Sequence, residues 1–265
     1  MNEIKELRLA VLVDADNVPR NCIKAVMEEI AVYGTPTIKR IYGDWTGPHI
    51  SGWKTSLLEN ALTPIQQYGY TVGKNSTDSA MIIDAMDILY ADRVDGFCIV
   101  SSDSDFTRLA LRLRESGKKV IGLGEKKTPK PFVVACDKFI YIEVIRETSA
   151  RAAKSLKAKL EPEKNSDKPQ SLLASSVSSG ISDGIPDSIV ELIATSLADI
   201  ADDDGYAFMG ELGTLLMKKQ PDFDPRNFGY LKLTTLVKSI PRFEIDVRQT
   251  RDPNIKHIYL RDKQS

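Results

Sequence analysis

Between residues 8 and 145 the chain switches hydrophobic period repeatedly, and that alternation limits the folds open to it more than any other feature. The short apolar runs "RLAVLV", "TIKRIYG", "GFCIVS", "KKVIGLG" and "KFIYIEVI" are rich in β-branched residues, are bounded by Gly, Pro or Asp, and read as strands. Between several of them lie the helical patterns "PRNCIKAVMEEIAVYG", "DSAMIIDAMDILYAD" and "DFTRLALRLRESG". In the last of these Phe106, Leu109, Ala110 and Leu113 recur at i, i+3, i+4 and i+7, and Gly117 supplies a stop signal. Strands alternating with helices predict an α/β domain, with a mainly parallel sheet flanked by helices on both faces.

The rest of the chain divides in two. Residues 147–185 are rich in Ser, Lys and Pro and poor in large apolar side chains, so they begin as a helical extension and then read as a flexible linker. At ~5–6 Å × √n, such a tether spans roughly 30–35 Å. Residues 186–265 return to a globular pattern. "DSIVELIATSLADIA", "FMGELGTLLMKKQ" and "PRNFGYLKLTTLVKSI" read as three helices, and "FEIDVRQ" and "IKHIYLRD" as strands joined at the turn signal "TRDPN". Three helices followed by a hairpin is the order of a small winged-helix domain. The expected organisation is therefore a domain over 1–146, a linker over 147–185 and a winged helix over 186–265.

Composition excludes several classes of chemistry. Lys and Arg total 36 against 37 Asp and Glu, so only local charge placement can speak for nucleic acid. Three scattered cysteines, Cys22, Cys98 and Cys136, exclude a disulfide framework and a CxxC zinc site, and fit a reducing compartment. The two histidines, His49 and His257, lie at opposite ends of the chain and argue against a zinc–histidine centre or a Ser-His-Asp triad. No signal peptide or membrane span is read at the N-terminus, so a cytoplasmic protein without a membrane partner is expected.

Carboxylates carry the chemistry instead. Two apolar strands end in pairs of acids: Asp14 and Asp16 in "LAVLVDADNVP", Asp103 and Asp105 in "CIVSSDSDF". In parallel sheets, sites form beyond the carboxyl ends of the strands, where the following helices also begin. Asp78 opens the "TDSAMIIDAMDILY" helix at that edge. At 100° per residue Ile82, Ala85 and Leu89 fall within about 40° of it, so it shares the buried stripe, whereas Asp84 and Asp87 lie about 120° and 180° away. Carboxylates gathered at one rim repel by about 4 kcal/mol per pair at 4 Å and an effective dielectric near 20. Protonation or a cation relieves that repulsion, and all-oxygen ligands suit Mg²⁺ or Mn²⁺, with Asp14, Asp78, Asp103 and Asp105 as candidate ligands. Such ions support hydrolysis of phosphodiesters.

Simpler roles compete for several of these residues. Asp105 or Ser104 could cap the helix that follows, with Ser102 and Asp105 spaced as in a capping box, and Asp16 could cap the helix after "NVP". Lys74 suits a phosphate contact or a solvated loop. Trp45 and Trp53 suit base stacking or anchoring of the loop between them.

The segments "VLVDADNVP", "GKNSTDSAMIIDAMDILY" and "CIVSSDSDFTRLA" resemble, in order, the three acidic motifs of NYN domains, members of the PIN-like nuclease superfamily. The resemblance covers roughly residues 8–145. It implies a Rossmann-like sheet and metal-dependent RNA cleavage, with Asp14, Asn17, Asp78, Asp84, Asp103 and Asp105 as the catalytic set. Lys74 falls where many members carry a basic residue. The segment "YAFMGELGTLLMKKQPDFDPRNFGYLKLTTLVKSIPRFEI" resembles an OST-HTH, or LOTUS, domain, which implies binding of RNA or of a protein partner. In its wing Arg248, Arg251, Lys256 and Arg261 cluster, and Arg248, Arg251 and Lys256 are candidate phosphate contacts or simply a solvated face.

Three functions fit these residues: an RNA endonuclease with a targeting module, a non-catalytic RNA-binding or regulatory protein, and a haloacid-dehalogenase-like phosphatase with Asp14 as nucleophile and Asp16 as general acid. The phosphatase fold calls for separate late motifs, whereas here Ser101, Asp103 and Asp105 end one strand. The nuclease is the expected reading.

Overall fold

The computed structural model describes residues 6–47, 51–68, 76–160, 184–249 and 256–264. The chain divides into two compact units, Met1–Glu147 with Met217–Phe223, and Thr148–Leu216 with Asp224–Ser265. The first contains strands β1 (Arg8–Asp14), β2 (Thr35–Gly43), β3 (Thr63–Gln66), β4 (Gly96–Val100), β5 (Lys119–Gly124) and β6 (Lys138–Tyr141). They form one sheet in the order β3-β2-β1-β4-β5-β6, parallel at every pairing. The winding direction reverses between β1 and β4, so a crevice opens beyond the carboxyl ends of those two strands.

Alternation along β1 shows why both faces must be covered. Leu9, Val11 and Val13 pack with Ile23, Val26 and Ile30 of α1 (Ile23–Ile30), and with Leu57 of α2 (Lys54–Asn60). Ala10 and Leu12 point the other way, into a core shared with Met81, Ala85 and Leu89 of α3 (Ser76–Tyr90) and with Leu109 and Leu113 of α4 (Thr107–Glu115). The short α5 (Lys130–Ala135) adds Phe132 to this second core, and α6 (Ile142–Leu160) adds Ile142 and Ile145 to the first. A strand buried on both faces reads as a continuous apolar run, as β1 and β4 do.

Some elements differ from the sequence expectation. β3 went unread because it is a four-residue edge strand holding Pro64, whose missing N–H is tolerable only at an edge or a strand start. "KFIYIEVI" is not one strand: it changes to helix at Ile142, and α6 carries the start of the expected linker as helix to Leu160. The remainder of that linker falls mostly outside the described residues. Gly117 does end α4, at φ 75°.

The C-terminal unit contains α7 (Asp187–Ala198), β7 (Tyr206–Phe208), α8 (Met209–Lys219), α9 (Leu233–Lys238), β8 (Phe243–Gln249) and β9 (Lys256–Asp262). The strands make an antiparallel sheet in the order β7-β9-β8, giving a winged helix with one strand more than the sequence pattern showed. The expected third helix is split: a 3₁₀ turn over Pro225–Phe228 ends at Gly229, whose φ of 84° no helix continues through. Arg242 joins the ends of this module, donating to Asp262 on β9 and to Glu191 on α7. Among the described residues no helix is long and apolar enough to cross a membrane.

Ser196 on α7 is fully buried, and its hydroxyl lacks a hydrogen-bond partner among the described residues. A buried hydroxyl without a partner costs about 1–3 kcal/mol, and Ala is the better helix former. Ser196→Ala is therefore expected to stabilise the C-terminal module by about 1 kcal/mol, read as a higher urea midpoint with an unchanged slope.

Candidate metal centre

Asp14 ends β1 with no exposed surface. Its Oδ1 accepts the backbone N–H groups of Asp16 at 3.0 Å and Asn17 at 3.3 Å. Its Oδ2 accepts the side-chain amide of Asn17 at 2.8 Å and the hydroxyl of Ser101 at 2.7 Å. Burial pushes this carboxyl above the ordinary range, and the bonds from Ser101, Asn17 and Asp16 oppose that rise.

Ser101 follows β4 and passes the linkage on. Its Oγ accepts the N–H of Asp103 at 3.0 Å, so the ends of β1 and β4 are tied through one hydroxyl. Asp103 then caps the next turn, its Oδ1 accepting the Asp105 N–H at 2.9 Å. The cap is thus Asp103 rather than Ser104 or Asp105, while Ser102 accepts the N–H of Glu125. Asp16 caps nothing: Pro19 stands at the N-cap of the turn that leads into α1, without a side-chain bond.

Asp78, in the first turn of α3, meets these residues and is only 8% exposed. One carboxylate oxygen from each of Asp78, Asp103 and Asp105 lies within 4.8 Å of the others. Burial raises the Asp78 carboxyl to about 6, with the charges of Asp14, Asp103, Asp105 and Asp16 adding to the rise in that order. These three carboxylates converge closely enough that they would hold a divalent cation between them. Their hard oxygen donors, with room for solvent on the exposed Asp105, suit Mg²⁺ or Mn²⁺.

Asp14 and Asp84 are placed differently from the other acids. Asp14 is near enough to raise Asp78, yet both its oxygens already accept hydrogen bonds. Asp84, two turns along α3, pairs with the Arg40 guanidinium and accepts from the Tyr42 hydroxyl. Arg40 and Tyr42 share one face of β2 because they are two residues apart. Asn17 serves Asp14. Ser101, Arg40 and Tyr42 had no distinct signal as partners of the acids beyond their positions near strand ends.

The remaining candidates are partly outside the described residues, as Lys74 and Arg251 are. Lys256 is exposed at the start of β9, and Arg248 on β8 pairs with Asp246 at 2.8 Å. Trp45 donates its ring N–H to the carbonyl of Ile65, and Trp53 is 4% exposed in the core, so both anchor their loop.

The doubly wound parallel sheet with an acidic cluster at its switch point is that of a PIN-like domain, and a winged-helix unit follows it in the chain. The chain belongs to the NYN domain family: the model of that family matches residues 8–143, and the OST-HTH/LOTUS domain model matches residues 161–255. An uncharacterized protein of Methanocaldococcus jannaschii is 25% identical over 123 residues, which are 45% of this chain and 48% of that protein. The chain thus matches about half the length of that curated relative. A crystal structure of a protein of unknown function from Vibrio parahaemolyticus is 21% identical, covers 54% of this chain and 96% of its own, and has a TM-score of 0.45. A solution structure of an uncharacterized protein from Nitrosomonas europaea is 32% identical over 39% of this chain and 92% of its own, at a TM-score of 0.26.

The position of Asp78 sets a pH dependence. Its folded pKa of about 6 is above that of an unfolded aspartate, so the metal-free folded state binds the extra proton between about pH 4 and 6. Stability of the metal-free protein therefore falls as pH rises through that window and levels off above it. Asp78→Asn removes this dependence. The variant is expected to melt higher than the parent at pH 7–8 in chelator and to match it near pH 4, as measured by thermal melts across pH.

Proposed function

We propose that the chain is a ribonuclease dependent on Mg²⁺ or Mn²⁺, which hydrolyses RNA phosphodiesters at the acidic cluster and captures RNA through its C-terminal module. The observation that carries this reading is the convergence of Asp78, Asp103 and Asp105 at the crevice between β1 and β4. A divalent cation bound there supplies Lewis acidity toward the phosphodiester and makes water a nucleophile at neutral pH. Asp78, Asp103 and Asp105 hold it. Asp14 adds charge behind them and fixes Ser101, which in turn orients the Asp103 backbone. Burial and the neighbouring acids raise the Asp78 carboxyl to about 6, so the cluster is the place in this domain where added positive charge would be most favoured. Asn17 orders the Asp14 carboxylate.

The phosphatase alternative needs Asp14 as an exposed nucleophile, and its complete burial with both oxygens hydrogen-bonded speaks against that role. Residues 186–265 and the tether before them are read as an RNA-capture module on a chain that then finds its cut site. Lys74 and the wing residues Arg248, Arg251 and Lys256 are the candidate RNA contacts outside the cluster.

Cleavage of a labelled RNA by the purified chain, with and without Mn²⁺, tests the central claim. Asp103→Asn is expected to lower the rate by about a hundredfold or more, beyond the usual loss from removing an outer partner of a metal ligand. Asp84→Asn is expected to cost much less activity, but to lower stability by about 1–3 kcal/mol, as Arg40 loses its counter-charge and one of the two donors, Arg40 or Tyr42, loses its acceptor. Binding of RNA without cleavage under any metal would replace the nuclease with a non-catalytic RNA-binding protein.

Removing residues 224–265, which leaves Met217–Phe223 with the first unit, tests the division of labour. The truncated chain is expected to show weaker RNA binding and a higher KM, with kcat at saturating RNA largely kept.

A further inference from the structure

The outer face of the C-terminal sheet holds a set of side chains that the acidic site does not explain. Strand register places Tyr206, Arg261 and Glu244 in one row across β7, β9 and β8, and Phe208, Tyr259 and Asp246 in the next. His257 and Arg248 make a third row. Alternate residues of a strand share a face, so the three rows stand on one side of the sheet. The opposite side turns Ala207, Leu260 and Phe243 into the core, whereas every member of the three rows is half-buried or exposed.

The planar groups of this face lie against one another, the rings at tilted angles. The Arg248 guanidinium lies 4.2 Å from the Tyr259 ring centroid and 5.0 Å from that of Tyr206, and Arg261 lies 4.9 Å from Tyr206. Phe208 lies 5.2 Å from His257 and 5.9 Å from Tyr259. Each arginine is also held by a carboxylate of β8, Arg248 by Asp246 at 2.8 Å and Arg261 by Glu244 at 2.6 Å. Those ion pairs cancel the arginine charge locally and keep the guanidinium planes against the rings. The result is a platform of flat surfaces with little net charge.

Unpaired nucleobases are the ligand this chemistry fits. Every base has a π-face that stacks on an aromatic ring or a guanidinium plane, whatever its identity. Successive rows are about 6.7 Å apart along a strand, the scale of one extended nucleotide. A phosphate backbone, by contrast, would meet Glu244 and Asp246 beside each arginine. We propose that this face binds single-stranded RNA by stacking bases on Tyr206, Tyr259 and their arginines, and not by tracking phosphates. The proposal rests on the reading of the module as an RNA-capture element and adds how it selects RNA: single strands over duplexes, with weak salt dependence.

The test is anisotropy of the full chain with a short labelled pyrimidine RNA, single-stranded or annealed to its complement, in chelator and across a salt series. Tyr206→Ala with Tyr259→Ala is expected to weaken single-strand binding by about tenfold or more and to leave duplex binding unchanged. The paired Tyr→Phe variant, which keeps both rings, is expected to bind like the parent. If the alanine pair does not fold, Tyr206→Leu with Tyr259→Leu keeps apolar bulk without a ring and is expected to lose binding in the same way. Asp246→Asn with Glu244→Gln releases the arginine charge and is expected to steepen the salt dependence. A chain that binds single-stranded RNA equally well with and without the two rings overturns the stacking proposal and leaves RNA capture standing. A full chain that binds duplex RNA alone also overturns the stacking proposal and leaves RNA capture standing, and one that binds neither form overturns both.

Discussion

The hydrogen bond from the Ser101 hydroxyl to the Asp14 carboxylate joins the two strand ends on which the acidic site stands. It is buried, so removing either partner would leave the other unsatisfied and is costly. Because Ser101 Oγ also accepts the Asp103 N–H, the backbone that leads to Asp103 and Asp105 is set from β1 as well as from β4. The site is thus anchored at the centre of a parallel sheet, where both strands are paired on each side and neither edge is free to move. A loop-borne cluster of acids would lack that support.

Collecting like charges in this crevice costs free energy, and the side chains divide that cost unequally. Asp14 is stabilised by four donors, two from backbone and two from side chains. Asp78 has burial and the fields of its neighbours against it, and its carboxyl is pushed up to about 6. Asp84 escapes the conflict altogether because Arg40 and Tyr42 face it from β2. Acids that are strained at one edge of a fold and satisfied elsewhere mark the place where a cation would repay the repulsion.

The C-terminal module separates its two sheet faces by chemistry. One face supplies Leu260 and Phe243 to a core closed by Leu212, Leu216 and Leu236. The other carries rings and arginines in matched pairs with acids, so it is neither an apolar patch nor a strongly basic one. Stacking surfaces need planar groups more than they need charge.

Much of the first domain was legible from period alone. The apolar runs of β1 and β4, the stop at Gly117 and the phase that turns Asp78 inward on α3 are local properties, set by side-chain alternation and by 3.6 residues per turn. The acid pairs at strand ends were equally visible, and parallel topology makes those ends converge. Short or mixed elements were not: β3 contains Pro64 and survives only through its pairing with β2, and "KFIYIEVI" changes from strand to helix with no polar break. In the wing, the arginines were visible, but their partners Tyr206, Tyr259, Asp246 and Glu244 became neighbours only through strand register. The sequence by itself determined which residues carry charge and on which edge they emerge. The tertiary structure decided how each is partnered, because Arg40 meets Asp84 and Ser101 meets Asp14 between elements 44 and 87 residues apart in the chain, contacts that no local pattern encodes.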